Sequence, residues 1–386
     1  MTLDKLSPLS LYIHIPFCRS KCGYCDFISY GGLEDIIPTY IDALSNELRM
    51  RALGNRQSVA TIYFGGGTPS LLNTTQIGKM IDTCRKYFQM EKNAELTLEA
   101  NPGSTTPQWL STIRDIGFNR LSLGFQSLGD NDLRLLGRIH SAGQALEAYT
   151  WARQAGFENI NIDLIYGLPA QTLKQWQRIL SSALSLAPEH LSLYPLTLEE
   201  ATPLGQAVES GSIPAPDPDM AAEMYQYAEE SLSGVGYEHY ELSNWSLPGN
   251  ACRHNLTYWE NRPYLGLGAG AHSFINGYRV ANSARPEEYI SNLESGKLPQ
   301  AEKEFINPAL ELSETIILGL RLVNGIELND IKLRFGIDMS VIYQSEIDEL
   351  KESGLLERDV STLRLTQRGR LLGNEVFWRF LPKETS

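Results

Sequence analysis

The chain has 386 residues, of which 42% are hydrophobic, 20% charged and 9% aromatic; this is globular composition and excludes disorder along most of its length. Its 46 acidic side chains outnumber 33 basic ones, and the formal charge of −13 has the wrong sign for a general nucleic-acid binder. The opening MTLDKLSPLS lacks the basic flank and apolar run of a signal peptide, and no stretch approaches the ~20 apolar residues of a membrane span. A soluble, cytoplasmic protein is expected, with peripheral membrane contact left open.

Short apolar runs rich in β-branched and aromatic residues recur at 11–17, 59–66, 94–101, 120–127, 159–167 and 190–197. Helix-like stretches lie between them, roughly 35–53, 74–89, 106–117, 143–156 and 172–187. Strands alternating with helices predict βαβ units and a parallel sheet in an α/β domain. Polar residues gather at the ends of successive strands: a cysteine loop, GGGTPS, Glu99-Ala100-Asn101-Pro102, Gln126-Ser127 and Asp163. A β/α barrel builds its site at that face, whereas a doubly wound sheet would concentrate the chemistry at one switch point.

The Pro-rich PAPDPDM (214–220) breaks this pattern and precedes a helical pattern at 221–234. A glycine- and aromatic-rich region follows, and SGKLPQAEKEFINP (295–308) forms a second break. Helical patterns at 312–321, 328–334 and 339–353 then lead into two short apolar segments around a polar turn, which predicts a small winged-helix-like module. The division expected is a barrel core over 1–215, a connecting region over 216–300 and a C-terminal domain over 301–386. The last portion is more acidic than basic, so packing or protein contact suits it better than DNA.

Cys18-x3-Cys22-x2-Cys25 places three thiolates on one short loop, whereas Cys84 and Cys252 stand alone. Cys84 lies in an amphipathic pattern and reads as a small core residue. Soft thiolates select zinc, Cu(I) or an iron–sulfur cluster. Zinc would need a fourth ligand, for which His14 or Asp26 could serve. A [4Fe-4S] cluster on three cysteines keeps one iron open.

The cysteine spacing, with Tyr24 just before the last cysteine, resembles the signature of radical S-adenosylmethionine (radical SAM) enzymes. Gly65-Gly66-Gly67-Thr68-Pro69 is similar to that family's glycine motif. The strings LYIHIPFC, YFGGGTPS, LEANPG, LGFQS, LGRIH and IDLIYGLPAQT resemble its oxygen-independent coproporphyrinogen oxidase group through residues 10–200. The resemblance implies a partial (β/α)6 barrel holding a [4Fe-4S] cluster on Cys18, Cys22 and Cys25. It also implies S-adenosyl-L-methionine contacts at Tyr12, Tyr24, Gly66, Gly67, Thr68, Glu99, Gln126, Arg138 and Asp163, with the glycine backbone receiving the methionine end.

Two features depart from the oxidase pattern. Phe27 stands where a fourth cysteine is expected, and the first strand begins near Leu11 without a long preceding extension. The chain is more similar to the heme-chaperone branch of this group, which implies heme as ligand, heme-accepting proteins as partners and an electron donor. His254-Asn255-Leu256-Thr257-Tyr258-Trp259 resembles that branch's HNxxYW motif. It implies His254 as an axial heme ligand beside two aromatic rings, with Cys252 as a second candidate and His14 structural. The alternative readings are a coproporphyrinogen III oxidase and a radical SAM enzyme acting on another substrate.

Overall fold

The computed structural model describes residues 8–52 and 57–382. Residues 1–7, which carry part of the signal-peptide and short-extension readings, and residue 53 of the first expected helix lie outside the described residues.

All six expected strands form: β1 (Leu9–Ile15), β2 (Ser58–Gly66), β3 (Gln89–Ala100), β4 (Arg120–Gln126), β5 (Ile160–Tyr166) and β6 (His190–Pro195). Helices α1 (Ile37–Arg51), α2 (Thr74–Tyr87) and α3 (Pro107–Ile116) follow the first three strands. The short α4 (Asp130–Leu135) and then α5 (Ala142–Gln154) follow β4, and α6 (Leu173–Ser185) follows β5. Local chemistry starts these helices. Asn73–Gln76, Ser141–Gln144 and Thr172–Gln175 each form a reciprocal capping box that satisfies two backbone donors. Trp176, Ile179, Leu180 and Ala183 then put one apolar face of α6 against the sheet.

β1 to β6 are parallel and neighbour one another in chain order. The sheet does not end there. After α7 (Pro203–Glu209) and α8 (Pro218–Ser233), β7 (Glu238–Glu241) and β8 (Asn244–Ser246) form a hairpin whose β8 pairs antiparallel with β6. The helix α9 (Arg253–Trp259) leads to β9 (Tyr264–Leu267), which returns to the opposite edge and pairs parallel with β1. Antiparallel β10 (His272–Ile275), β11 (Tyr278–Asn282) and, after α10 (Pro286–Glu294), β12 (Gln300–Phe305) complete an open sheet of order β12-β11-β10-β9-β1-β2-β3-β4-β5-β6-β8-β7. Residues 216–300 are thus built into the sheet: Trp245, Leu265 and Tyr289 share one hydrophobic core with Leu11 and Phe64.

From Pro308 a second core begins, with Leu312, Ile316, Ile347, Leu363 and Phe380. Here α11 (Pro308–Gly319), α12 (Leu328–Phe335), α13 (Met339–Ile342) and α14 (Gln344–Glu352) pack with a small antiparallel sheet of β13 (Ile326–Glu327), β14 (Leu356–Arg358) and β15 (Thr362–Leu365). This is the winged-helix-like module. It docks on the exposed edge of the barrel sheet: Leu242 donates to the Arg321 carbonyl and Val323 to the Tyr240 carbonyl, both at 3.1 Å. The Arg370–Glu229 ion pair at 2.8 Å reinforces the join. At the other edge Glu302, Lys303 and Glu304 charge the exposed β12, a common guard against stray strand pairing. Among the described residues no helix is long and apolar enough to cross a membrane.

Candidate functional site

The cysteine loop leaves β1 at the mouth of the open barrel. Its fold is held from outside: Gly23 donates to the Leu136 carbonyl at 3.1 Å, and Leu204 donates back to Gly23 at 2.8 Å. Cys18 is buried, and Cys22 and Cys25 are partly exposed thiols. Thr68 donates to Cys18 Sγ at 3.5 Å and Arg138 to Cys22 Sγ at 3.3 Å, so both sulfurs face hydrogen-bond donors. His14 is not available as a fourth ligand. Its Nδ1 bonds the Tyr12 hydroxyl and its Nε2 the Ile28 carbonyl, both at 2.9 Å, while Asp26 stays exposed on the loop. Among the described residues no three His, Cys, Asp or Glu side chains are gathered as for a single ion. A cubane needs a wider triangle, because each thiolate takes a different iron. Three thiols without a fourth protein ligand therefore fit a cluster with one open iron.

The glycine motif has a packing basis within the chain itself. Gly66 has φ +112°, and a Cβ there would stand 2.5 Å from the His14 ring. A Cβ on Gly67 would stand 2.6 Å from the Phe17 carbonyl oxygen. The amides of Gly66, Gly67 and Thr68 are also committed, to Glu99, Ile15 and Phe17 respectively. The glycines are thus required by close packing of β2 on the root of the cysteine loop, and these amides do not point free toward a ligand.

Other expected contacts converge at the mouth. In register across the sheet, Tyr12 pairs with Tyr63, Glu99 with Ser122, and Asp163 with Ser192. Glu99 accepts from the Tyr63 hydroxyl at 2.8 Å and from the Gly66 amide at 3.3 Å. Burial, with Asp163 adding to it, pushes the Glu99 carboxyl up to about 7. Asp163 is also shifted up by burial, and accepts from Asn161 at 2.7 Å and Ser122 at 3.1 Å. Gln126 ends β4 at a register shift with φ +66°, a left-handed strain often kept at functional positions. Arg138 spans Cys22 Sγ and the Gly124 carbonyl (3.0 Å), while its buried Nε has no hydrogen-bond partner. Tyr24 lies beside Arg138, and burial keeps its hydroxyl protonated.

Two further residues at this face were not among the expected contacts. Tyr63 faces the same side as Tyr12 and anchors Glu99; strand parity counted from Gly65 would have found it. Tyr194, near the end of β6, is 41% exposed, and burial of its hydroxyl with Asp163 nearby keeps it protonated.

His254 and Cys252 do not meet the expectation of heme ligation. His254 is 1% exposed and both ring nitrogens are engaged, Nδ1 with Thr61 at 2.7 Å and Nε2 with Tyr258 at 2.9 Å. Its ring stacks on Tyr63 at 5.1 Å, and burial pushes it down to about 3. Glu95 accepts from the backbone amides of Arg253 (3.0 Å) and His254 (3.1 Å), pinning the start of α9 inside the barrel. Cys252 is fully buried and its thiol is pushed up to about 12. Trp259 lies under the Arg321 guanidinium at 4.5 Å and so serves the join to the C-terminal domain.

Family comparisons agree with this architecture. The Radical SAM superfamily model matches residues 12–183, and the HemN C-terminal domain model matches residues 306–372. The protein named Heme chaperone HemW in Bacillus subtilis is 36% identical over 374 residues, spanning 96% of this chain and 99% of that protein. Its namesake in Mycobacterium tuberculosis (strain H37Rv) is 38% identical over 373 residues, spanning 96% and 94%. The solved structure of coproporphyrinogen III oxidase (HemN) from Escherichia coli superposes with a TM-score of 0.85 at 25% identity, covering 97% of this chain and 90% of that one. With a barrel-mouth cysteine triad, a HemN-like C-terminal domain and full-length similarity of this degree, the chain belongs to the radical SAM superfamily and, within it, to the HemW family.

Proposed function

We propose that this protein is a heme chaperone of the cytoplasm that takes up heme and passes it to acceptor proteins. It would carry a [4Fe-4S] cluster on Cys18, Cys22 and Cys25 and bind S-adenosyl-L-methionine at the barrel mouth, with an electron donor as a further partner. The observation that carries this reading is identity of 36% and 38% to heme chaperones over 96% of the chain. Phe27, 70% exposed where the oxidase pattern has a further cysteine, favours it over coproporphyrinogen oxidation.

When bound, the cluster and S-adenosylmethionine supply one-electron radical chemistry. The chain's own residues orient and shield. Arg138 offers its unpartnered Nε to a carboxylate, and Glu99 accepts from an amino group once ionised. Tyr12, Tyr24, Gln126 and Asp163 line the remaining mouth, and Gly66 and Gly67 let β2 close on the cysteine loop.

Anaerobic reconstitution followed by parallel assays tests the reading. About one heme should bind per chain, with no conversion of coproporphyrinogen under reducing conditions. Efficient decarboxylation would overturn it.

A further inference from the structure

If the chain holds heme, as proposed above, its iron needs an accessible donor, and histidine is a common one. All six histidines lie among the described residues. Five have both ring nitrogens engaged. His14 and His254 have the partners given above, and His140 bonds Asn101 and the Phe125 carbonyl, both at 3.1 Å. His190 bonds Asn161 at 2.7 Å and Tyr240 at 2.8 Å. His239 meets Glu229 at 3.2 Å and the Leu242 carbonyl at 3.3 Å. The sixth, His272, is exposed, and none of the described residues bonds its ring.

We infer that His272 is the axial ligand through which heme iron is held. Its place in the fold suits this. β9 runs parallel to β1, so the turn after β9 emerges at the same mouth as the cysteine loop. The two segments touch, because a Cβ on Gly270 would stand 2.9 Å from Ile28 Cδ1. Ile28 of the cysteine loop thus packs against the turn that leads into His272.

His272 also lines a recess of about 270 Å3 with Arg279, Ala281, Glu302, Lys303 and Glu304. Glu302 lies two strands across in register and offers a carboxylate for the second ring N–H, the usual partner of a metal-bound imidazole. Lys303 supplies a cation for a propionate. The recess is below the roughly 300–1,000 Å3 that encloses a drug-sized ligand, so it admits an edge of the macrocycle and leaves the rest exposed. An exposed ligand is what transfer to another protein requires.

The test is heme titration of the cluster-loaded full chain, read by ferric and ferrous absorbance. His272→Ala should alter the axial-ligand bands and weaken binding by roughly tenfold or more, since loss of even an outer partner of a metal ligand costs that much. Added imidazole should restore the bands, and iron–sulfur content should be unchanged. In the wild type, heme should slow carbethoxylation of His272, a readout that needs no variant. Unchanged bands and affinity in His272→Ala, with the wild type binding heme, overturn the ligand assignment alone. A wild type that binds no heme overturns both this assignment and the chaperone reading.

Discussion

The Tyr63 hydroxyl donates a 2.8 Å hydrogen bond to Glu99 Oε1, tying a ring deep in the barrel to the carboxylate at its mouth. His254 stacks on the other side of this arrangement, against the Tyr63 ring. The motif expected to touch heme therefore reaches the cofactor mouth through one intervening tyrosine.

The Glu99 carboxyl has an ordinary value of 4.5 and is pushed up to about 7 in the fold. Its contribution to stability is therefore full below 4.5 and lost as pH rises through about 7. Ligand binding runs the other way. If ionised Glu99 accepts from S-adenosylmethionine, affinity should rise as pH climbs through about 7, by up to roughly tenfold per unit below that value. Calorimetric titration across this range should show the slope in wild type and a flat, weaker profile in Glu99→Gln.

Cys18→Ala, Cys22→Ala and Cys25→Ala should each lose most bound iron and sulfide after anaerobic reconstitution, while Cys84→Ala keeps about four of each. Cys84 is fully buried in the main core, so its removal should lower the unfolding midpoint instead. Metal and sulfide analysis beside thermal unfolding separates the two effects.

Arg138→Ala should retain iron yet weaken the change that S-adenosylmethionine causes in the reduced-cluster spectrum. Arg138→Lys should not rescue it. A single ammonium cannot reproduce a planar fork that reaches Cys22 Sγ and the Gly124 carbonyl together.

Gly67→Ala places a methyl group 2.6 Å from the Phe17 carbonyl oxygen. The root of the cysteine loop must shift, at a cost of about 1–3 kcal/mol by the usual penalty for overpacking. Denaturant unfolding should show that loss, and reconstituted iron should fall with it.

His254→Ala leaves the Thr61 and Tyr258 hydroxyls without their shared partner inside the barrel. Destabilisation of about 1–3 kcal/mol is expected. The heme absorbance bands of the folded variant should match wild type, and a ligand-type spectral change would return His254 to the heme site.

The six βα units, the cysteine loop and the winged-helix-like module were legible because their signals are local. Alternating apolar runs mark β1 to β6, helix-like stretches fill the intervals between them, and three cysteines within one loop need no distant partner to be recognised. Tertiary structure alone decided the rest. EHYE, NWS and QAEKEF carry little strand signal, and they become β7, β8 and β12 because the barrel leaves sheet edges for them. His254 looked like a ligand beside two aromatic rings, yet its nitrogens are occupied partly by Thr61, 193 residues away in sequence. His272 carried no motif, and the segment that bears it reaches the barrel mouth because β9 returns to pair with β1. Whether a histidine is a core residue or a ligand depends on which hydrogen-bond partners the completed fold brings to each nitrogen, and those partners lie far apart along the chain.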